Sequence, residues 1–187
     1  MISAPSGCGK TTIVDRLLKR HSSWVRSISM TTRSPRTDEK NGKDYYFVSP
    51  EEFADIERRG DLLESAKVFD KLYGTPKSFV LKHLNEGKNV ILAIDVQGTK
   101  KVKEALGSDV SLLTIFLLPP SVKVLRERLE GRKTDSAEEI ERRMEWAQEE
   151  IKEASIYDHT VINHNLEKSV HEVETLIKKF QNSKENQ

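Results

Sequence analysis

The sequence contains only one cysteine, Cys8, among its 187 residues. An internal disulfide is therefore excluded, and a cytoplasmic location with a reducing environment is expected. Charge of one sign is not in excess either, because 31 basic and 30 acidic side chains leave a formal net charge of +1. General nucleic-acid binders usually carry a clear basic excess, so we expect no nucleic-acid partner. Any anion-binding surface must be local.

Long hydrophobic runs are missing as well. The longest apolar stretch, residues 112–120, is interrupted by Thr114 and is too short to cross a bilayer, so no membrane partner is expected. The start, Met1-Ile2-Ser3, shows neither the basic nor the apolar region of a signal peptide. The five histidines show no spacing typical of a metal site, and we interpret them as structural or exposed.

Apolar runs alternate with helical patterns along most of the chain. The predicted strands, each with the helix that follows it, lie at residues 89–95 and 99–106, 111–118 and 122–130, and 159–163 and 166–180. Strands rich in Ile, Val and Leu that alternate with helices predict an α/β fold around a parallel sheet.

Two stretches depart from this alternation. Residues 30–76 contain hairpin-like signals, including an Asn41-Gly42 turn, and a short helix that begins at the capping-box pattern Ser49 to Glu52. Residues 131–154 combine a polar connector with a helix that begins at the capping-box pattern Ser136 to Glu139. We therefore predict two inserts in a core domain. The predicted boundaries are residues 1–29, 77–130 and 155–187 for the core, 30–76 for the first insert and 131–154 for the second.

The strongest local signal is the run APSGCGKT at residues 4–11, which opens a helical pattern. Backbone N–H groups in such a loop cradle phosphate oxygens, and the helix N-terminus adds positive potential. Lys10 would reach the β- and γ-phosphates, and Thr11 would offer its hydroxyl to Mg²⁺. The motif G-x-x-x-x-G-K-[ST] has Ala4 at its first glycine, which is acceptable only if φ there is not positive. The strand before the loop is reduced to three residues, so either residues are missing upstream or the strand is unusually short.

A second candidate anion site follows in the run TTRSPR at residues 31–36. Two arginines three residues apart, Arg33 and Arg36, suit a phosphate dianion because guanidinium groups bind its oxygens bidentately. The phenol of Tyr45 would donate a further hydrogen bond. From these residues alone, a phosphate site and an exposed basic loop are equally compatible with the sequence.

The wider pattern S-x-S-x-T-T-R-x-P-R-x-x-E-x-x-G-x-x-Y-x-F, which residues 27–47 match throughout, resembles the nucleoside-monophosphate signature of guanylate kinases. The resemblance continues at Glu64, a Tyr73-Gly74-Thr75 turn, residues 94–98 (IDVQG), residues 129–132 (LEGR), Arg143 and residues 161–163 (VIN). It implies the P-loop NTPase fold, a three-layer α/β/α arrangement with a parallel core sheet, a GMP-binding insert and a helical lid. It also implies phosphoryl transfer from ATP to GMP, with Mg²⁺, giving ADP and GDP.

The resemblance carries GMP-binding roles onto individual positions. These are Ser29, Arg33, Arg36, Glu39, Tyr45, Glu64, Tyr73, Thr75 and Asp95. Glu64 would accept hydrogen bonds from guanine N1–H and the exocyclic amine. The adenine of AMP presents an acceptor in place of N1–H, so its lone pair would face the carboxylate and AMP would be rejected. Asp95 would either organise Mg²⁺ through water or contact the guanosine, and both roles stay open. Ala93 stands where the family often has an acidic residue.

The resemblance also implies the ATP site and the catalytic residues. ATP would contact Ala4, Pro5, Ser6, Gly7, Cys8, Gly9, Lys10, Thr11 and Thr12, with the adenine near Asn163. The catalytic residues would be Lys10, Arg33, Arg132 and Arg143, the last two closing over the ATP phosphates from the lid. For the neighbouring Arg142 we prefer the interpretation of an ordinary surface charge.

Three alternatives accompany this interpretation. A guanylate-kinase-like binding module of scaffold proteins is disfavoured by the intact Lys10, Thr11 and lid arginines, and a kinase for another monophosphate is disfavoured by Glu64 and Thr75. A damaged enzyme is suggested by Ala4, Ala93 and the short first strand. We expect a monomer or a weak homo-oligomer.

Overall fold

The computed structural model describes residues 1–107, 110–131 and 136–185. In chain order its elements are β1 Ile2–Ser3, α1 Lys10–Arg20, β2 Trp24–Arg26, β3 Met30–Thr31, β4 Tyr46–Phe47, α2 Pro50–Arg58, β5 Leu62–Val68, β6 Lys71–Pro76, α3 Lys77–Asn85, β7 Asn89–Ile91, α4 Val96–Leu106, β8 Ile115–Leu118, α5 Val122–Glu130, α6 Ala137–Lys152, β9 His159–Ile162 and α7 Leu166–Glu185. A short 3₁₀ helix, Glu153–Ile156, follows α6.

The helices begin where the sequence supplies caps. Ser49 and Glu52 form a reciprocal capping box at the start of α2, with Pro50 in the first helical position. Ser136 and Glu139 form the same box at α6. Both boxes agree with the prediction from the sequence.

The chain divides into two compact units. Unit 1 comprises Met1–His21, Ala93–Val96 and Leu112–Gln187, and unit 2 comprises Ser22–Leu92 and Gln97–Ser111. The three-part division predicted from the sequence, with separate inserts at 30–76 and 131–154, stays a prediction.

Unit 1 contains a parallel sheet in the order β1-β8-β9. Its central strand, β8, is almost wholly apolar, and three of its side chains are buried, as expected for a parallel strand covered on both faces. Helix α1 contributes Ile13, Val14 and Leu17 to the core at 0% exposure, and it packs against α7. The core therefore fixes α1, and with it the loop that leads into that helix.

Unit 2 contains a parallel pair, β2-β7, and a four-stranded mixed sheet in the order β4-β3-β6-β5. Strands β5 and β6 form a hairpin whose two-residue loop is Phe69-Asp70, both at positive φ. The residues 73–75, which the sequence analysis interpreted as a turn, lie instead inside β6. That prediction was wrong because Gly74 serves close packing, not chain reversal: a Cβ there would lie 2.8 Å from Leu62 Cδ1 and 3.0 Å from Phe53 Cζ.

No helix within the described ranges combines the length and apolar character that a membrane span requires.

Candidate active site

The phosphate-type loop of unit 1 connects β1 to α1. The Cys8 N–H donates to the Pro5 carbonyl at 3.1 Å and closes a turn, with Gly7 at φ +94 in its third position. Gly9 is the N-cap of α1 at φ +85 and offers no side-chain cap. The first N–H groups of a helix have no partner within it, and the start of α1 carries no side-chain cap that would occupy the place of an anion.

The φ angle of Ala4 is not positive, which is the condition for alanine to replace the first glycine of the motif. Within the described ranges, the non-glycine residues with positive φ are Phe69 and Asp70. The backbone at Ala4 therefore does not require glycine. It is 4% exposed and packs in the core of unit 1. The missing first glycine is therefore no obstacle to the loop conformation.

Lys10 and its neighbours form the charged part of this site. The Lys10 Nζ donates to the Ile94 carbonyl at 2.9 Å, which places the ammonium beside Asp95. Thr11 and Thr12 are exposed at the start of α1. The structure thus places Lys10 beside Asp95, with Thr11 adjacent to Lys10 at the start of α1; these are the residues predicted to bind phosphates and Mg²⁺.

Helix α6 brings two further charged groups to the loop. The Arg143 Nη1 donates to the Ser6 Oγ at 3.1 Å, so this predicted lid arginine contacts the loop itself. Glu150 lies two helical turns further along the same face, and its half-buried carboxyl interacts with Lys10 and Asp95. Burial raises the pKa of Glu150 to about 7; Lys10 opposes that shift and the charge of Asp95 adds to it. Glu150 was not predicted from the sequence, although its seven-residue spacing from Arg143 places both side chains on one face of a helix. Arg132 lies outside the described residues.

Asn163, at the end of β9, is buried against the same loop. Its Nδ2 donates to the Cys8 carbonyl at 2.8 Å, and the residue is 5% exposed. The contact with adenine that the family resemblance implies stays a prediction.

The arginine loop of unit 2 is held together by one carboxylate. Glu39 Oε1 accepts from the Arg33 Nη2 and Glu39 Oε2 from the Arg36 N–H, both at 2.8 Å. Burial alone would raise the pKa of Glu39, but these two hydrogen bonds and the charges of both arginines lower it. The carboxylate therefore stays ionised and fixes the Arg33 guanidinium and the Arg36 backbone together.

Aromatic rings line this loop. The Arg33 guanidinium carbon lies 5.4 Å from the centroid of the Tyr45 ring and 5.8 Å from that of Phe47. Tyr45 and Tyr73 meet edge to face with centroids 6.0 Å apart, and burial raises the pKa of Tyr45. The Tyr45 phenol is therefore a neutral donor at physiological pH. The structure brings together Arg33, Arg36, Glu39, Tyr45 and Tyr73 as predicted. Phe47 was not singled out from the sequence.

A buried polar pair lies on the neighbouring strands. The Thr75 Oγ1 donates to Glu64 Oε1 at 2.7 Å, and the two residues are 0% and 7% exposed. They face each other in the β5–β6 register, beside a bulge between Leu62 and Glu64. Tyr73 and Thr75 are two apart on β6, so they share one face of that strand. Ser29 is half-buried just before β3.

Comparisons with known proteins agree with this assembly of residues. The family model described as guanylate kinase matches residues 1–180. A guanylate kinase of Wolbachia sp. subsp. Brugia malayi is 48% identical over 179 residues, which cover 96% of this chain and 91% of that protein. One from Caldanaerobacter subterraneus subsp. tengcongensis is 46% identical over 177 residues, covering 95% and 84%.

A solved structure is similar as well. The crystal structure of guanylate kinase from Anaplasma phagocytophilum matches with a TM-score of 0.79 and 32% sequence identity, covering 95% of this chain and 82% of that one. The mixed α/β, P-loop NTPase fold predicted from the sequence is confirmed.

Proposed function

The chain belongs to the guanylate kinase family, and from that premise we propose which of its residues carry out the reaction. The activity is the ATP-dependent phosphorylation of GMP, which gives ADP and GDP. What we propose is the assignment of individual residues to ATP, GMP and Mg²⁺.

In unit 1, the N–H groups at the start of α1 and the Lys10 ammonium bind the β- and γ-phosphates of ATP. The supporting observation is the loop conformation at Gly7 and Gly9, which leaves the start of α1 uncapped. Arg143 neutralises charge on the transferring group from α6. We assign the same role to Arg132 on the family resemblance alone.

Magnesium fits the oxygen donors at this site. Mg²⁺ keeps several waters and is usually bound by one or two carboxylates together with substrate phosphates. Among the described residues no group of three or more His, Cys, Asp or Glu side chains forms a cage of protein ligands, which suits that mode. The Thr11 hydroxyl would bind Mg²⁺ directly and Asp95 through water, and the ion would neutralise phosphate charge.

In unit 2, Arg33, Arg36, Tyr45 and Tyr73 bind the GMP phosphate, and Glu39 positions the arginines. Glu64 reads the guanine by accepting from N1–H and the exocyclic amine, while Thr75 and Ser29 address O6. Because Tyr73 and Thr75 share one face of β6, one nucleotide can contact both groups.

The reaction needs alignment and charge neutralisation more than covalent help. Two unit charges 4 Å apart repel by about 4 kcal/mol at an effective dielectric constant of 20, and the two substrates bring several such pairs together. Lys10 and the four arginines offset that repulsion, and a bound Mg²⁺ would supply further positive charge. A phosphate oxygen of GMP attacks the γ-phosphorus, and its negative charge makes a strong general base unnecessary.

The observation that carries the proposed selectivity is the buried Thr75–Glu64 hydrogen bond. ADP production should be measured with GMP, AMP, UMP and TMP in turn, for the wild type and for Glu64→Gln. The wild type should respond to GMP alone. Glu64→Gln should lose at least 100-fold in kcat/KM for GMP, since a carboxamide cannot accept from both guanine donors. An unchanged preference would contradict the assignment of Glu64, and Glu104→Gln, exposed on α4, is the matched control.

We place the enzyme in the cytoplasm, where its nucleotide substrates and a reducing environment occur together. We also propose a monomer or weak homo-oligomer. In its support, the large apolar side chains that are exposed in the described ranges, Leu81, Val122 and Ile162, lie on three different elements.

A further inference from the structure

Asn163 contacts the phosphate-binding loop at two successive residues. Its Nδ2 donates to the Cys8 carbonyl at 2.8 Å. A Cβ added to Gly9 would lie only 2.9 Å from that same Nδ2. The amide nitrogen of Asn163 therefore fills the space beside the peptide that joins Cys8 to Gly9.

The backbone of Asn163 is itself held in place. Its N–H donates to the Leu118 carbonyl of β8 at 2.8 Å, and its carbonyl accepts from the Arg128 Nη2 of α5 at 2.9 Å. With 5% exposure, the side chain has little freedom to turn away. The position of Asn163 is therefore fixed, and the loop packs against its side chain.

The geometry of the Cys8–Gly9 peptide links this contact to the proposed anion site. In a trans peptide the C=O and the N–H lie in one plane and point in opposite directions, and within the described ranges the chain has no cis peptide. Holding the Cys8 carbonyl toward Asn163 therefore directs the Gly9 N–H to the opposite side. Gly9 is the N-cap of α1, so this N–H stands with the others at the helix start.

We propose that Asn163 is a positioning residue, which orients the Gly9 N–H toward the ATP phosphates by holding the Cys8 carbonyl. The proposal rests on the proposed ATP site at this loop and deepens it. It differs from the adenine contact, because a residue that acts through the loop affects any polyphosphate, whether or not a base is attached.

The test compares the binding of ATP and of inorganic tripolyphosphate to full-length protein by calorimetry. Asn163→Leu keeps the branched shape and the number of side-chain heavy atoms and removes the donor without adding charge. We expect about tenfold weaker binding of both ligands, since the loss of one buried hydrogen-bond partner has an effect of this size. The KM for GMP should change less than twofold.

A matched control lies two residues away. Asn165 is exposed, and its Oδ1 caps α7 by accepting from the Lys168 N–H at 3.1 Å. Asn165→Leu should lower the melting temperature, because it removes a cap, without weakening either ligand. If Asn163→Leu does not fold, Asn163→Ser replaces it, since its shorter side chain cannot reach the Cys8 carbonyl.

Three outcomes would overturn the proposal: weaker binding of ATP with unchanged tripolyphosphate binding, unchanged binding of both, or a loss that extends equally to GMP. The first would assign Asn163 to the adenine, and the last would give it a general structural role. A wild type that binds neither polyphosphate would instead refute the ATP site proposed for the loop, a result distinct from any effect of the variant.

Discussion

The two proposed anion sites of this chain are built from different chemical groups. The site of unit 1 is made mainly of peptide groups, with Gly7 and Gly9 providing the backbone conformation. The site of unit 2 is made of side chains, with Glu39 holding Arg33 and Arg36. A backbone site depends on conformation and tolerates changes such as Ala4, whereas a side-chain site depends on the identity of each residue. The first suits a polyphosphate that many enzymes share, and the second suits a selected acceptor.

The largest expected effect tests whether a side chain also contributes to the backbone site. Arg143→Ala should lower kcat about 100-fold, because it removes a cation from the transferring phosphoryl group, while the KM for GMP changes less than twofold. Arg142→Ala, at an exposed neighbouring position, should leave kcat within twofold. Steady-state kinetics with both substrates measure kcat and the KM for GMP of the two variants. Equal losses in turnover and in GMP affinity would count against a role for Arg143 on the ATP side.

The next prediction compares two glycine substitutions that strain the backbone similarly, only one of which lies in the phosphate-binding loop. Gly9→Ala and Gly87→Ala both place a side chain at positive φ, +85 and +69, which costs roughly 1–2 kcal/mol in each case. Only the Gly9 variant also meets an atom, Asn163 Nδ2 at 2.9 Å; the Gly87 position is open. We expect both to lower the melting temperature, but only Gly9→Ala to raise the KM for ATP, by tenfold or more. Similar ATP affinity in the two variants would contradict a backbone-built site.

A smaller effect is expected from the carboxylate that organises unit 2. Glu39→Gln should raise the KM for GMP about tenfold, because the neutral amide holds Arg33 and the Arg36 N–H less firmly. The KM for ATP should stay within twofold. Asp38→Asn, at the exposed adjacent position, serves as the control. A parallel rise in both KM values would remove the distinction between the two sites.

The smallest effect concerns the support of α1 in unit 1. Glu174 on α7 accepts from Lys178, His21 and Arg20 at 2.7, 2.8 and 3.1 Å. The hydrogen bond from Lys178 is the main cause that lowers the pKa of Glu174 to about 2, with those from His21 and Arg20 adding to it. A carboxylate whose pKa is lower in the folded than in the unfolded state stabilises the fold at pH values above its unfolded pKa, near 4.5. That contribution is lost as the pH falls toward the folded-state pKa of about 2.

Denaturant unfolding of the wild type and Glu174→Gln at pH 6 and at pH 3 measures this contribution. The wild type should lose more stability than the variant over that interval. Equal losses would show that the Glu174 carboxylate does not stabilise the fold in this pH-dependent way.

The sequence predicted best what depends on short local patterns. Both capping boxes are present, and α5 has the predicted bounds, because a helix start is decided by residues within one turn. The loop at residues 4–11 was recognised for the same reason, since its glycines and lysine act over eight consecutive positions.

What the sequence could not show arises from contacts between distant segments. The contact between Asn163 and Cys8 joins residues 155 apart, and the pairing of Glu150 with Lys10 joins α6 to α1. The Gly74 error has the same origin: residues 73–75 were interpreted as a turn within the family resemblance, but the packing of Leu62 and Phe53 against Gly74 accompanies a strand there. Family resemblance supplied the role of Glu64, which no local pattern indicates.

The central claim, that ATP phosphates are bound by amides of unit 1 and GMP by side chains of unit 2, is tested most directly by amide chemical shifts in ¹⁵N-labelled protein. A non-hydrolysable ATP analogue should shift the Gly9, Lys10 and Thr11 amides and leave those of Arg36 and Glu39 nearly unchanged, whereas GMP should do the reverse. Large shifts of the Gly9 and Lys10 amides with GMP, or none with the ATP analogue, would contradict the account.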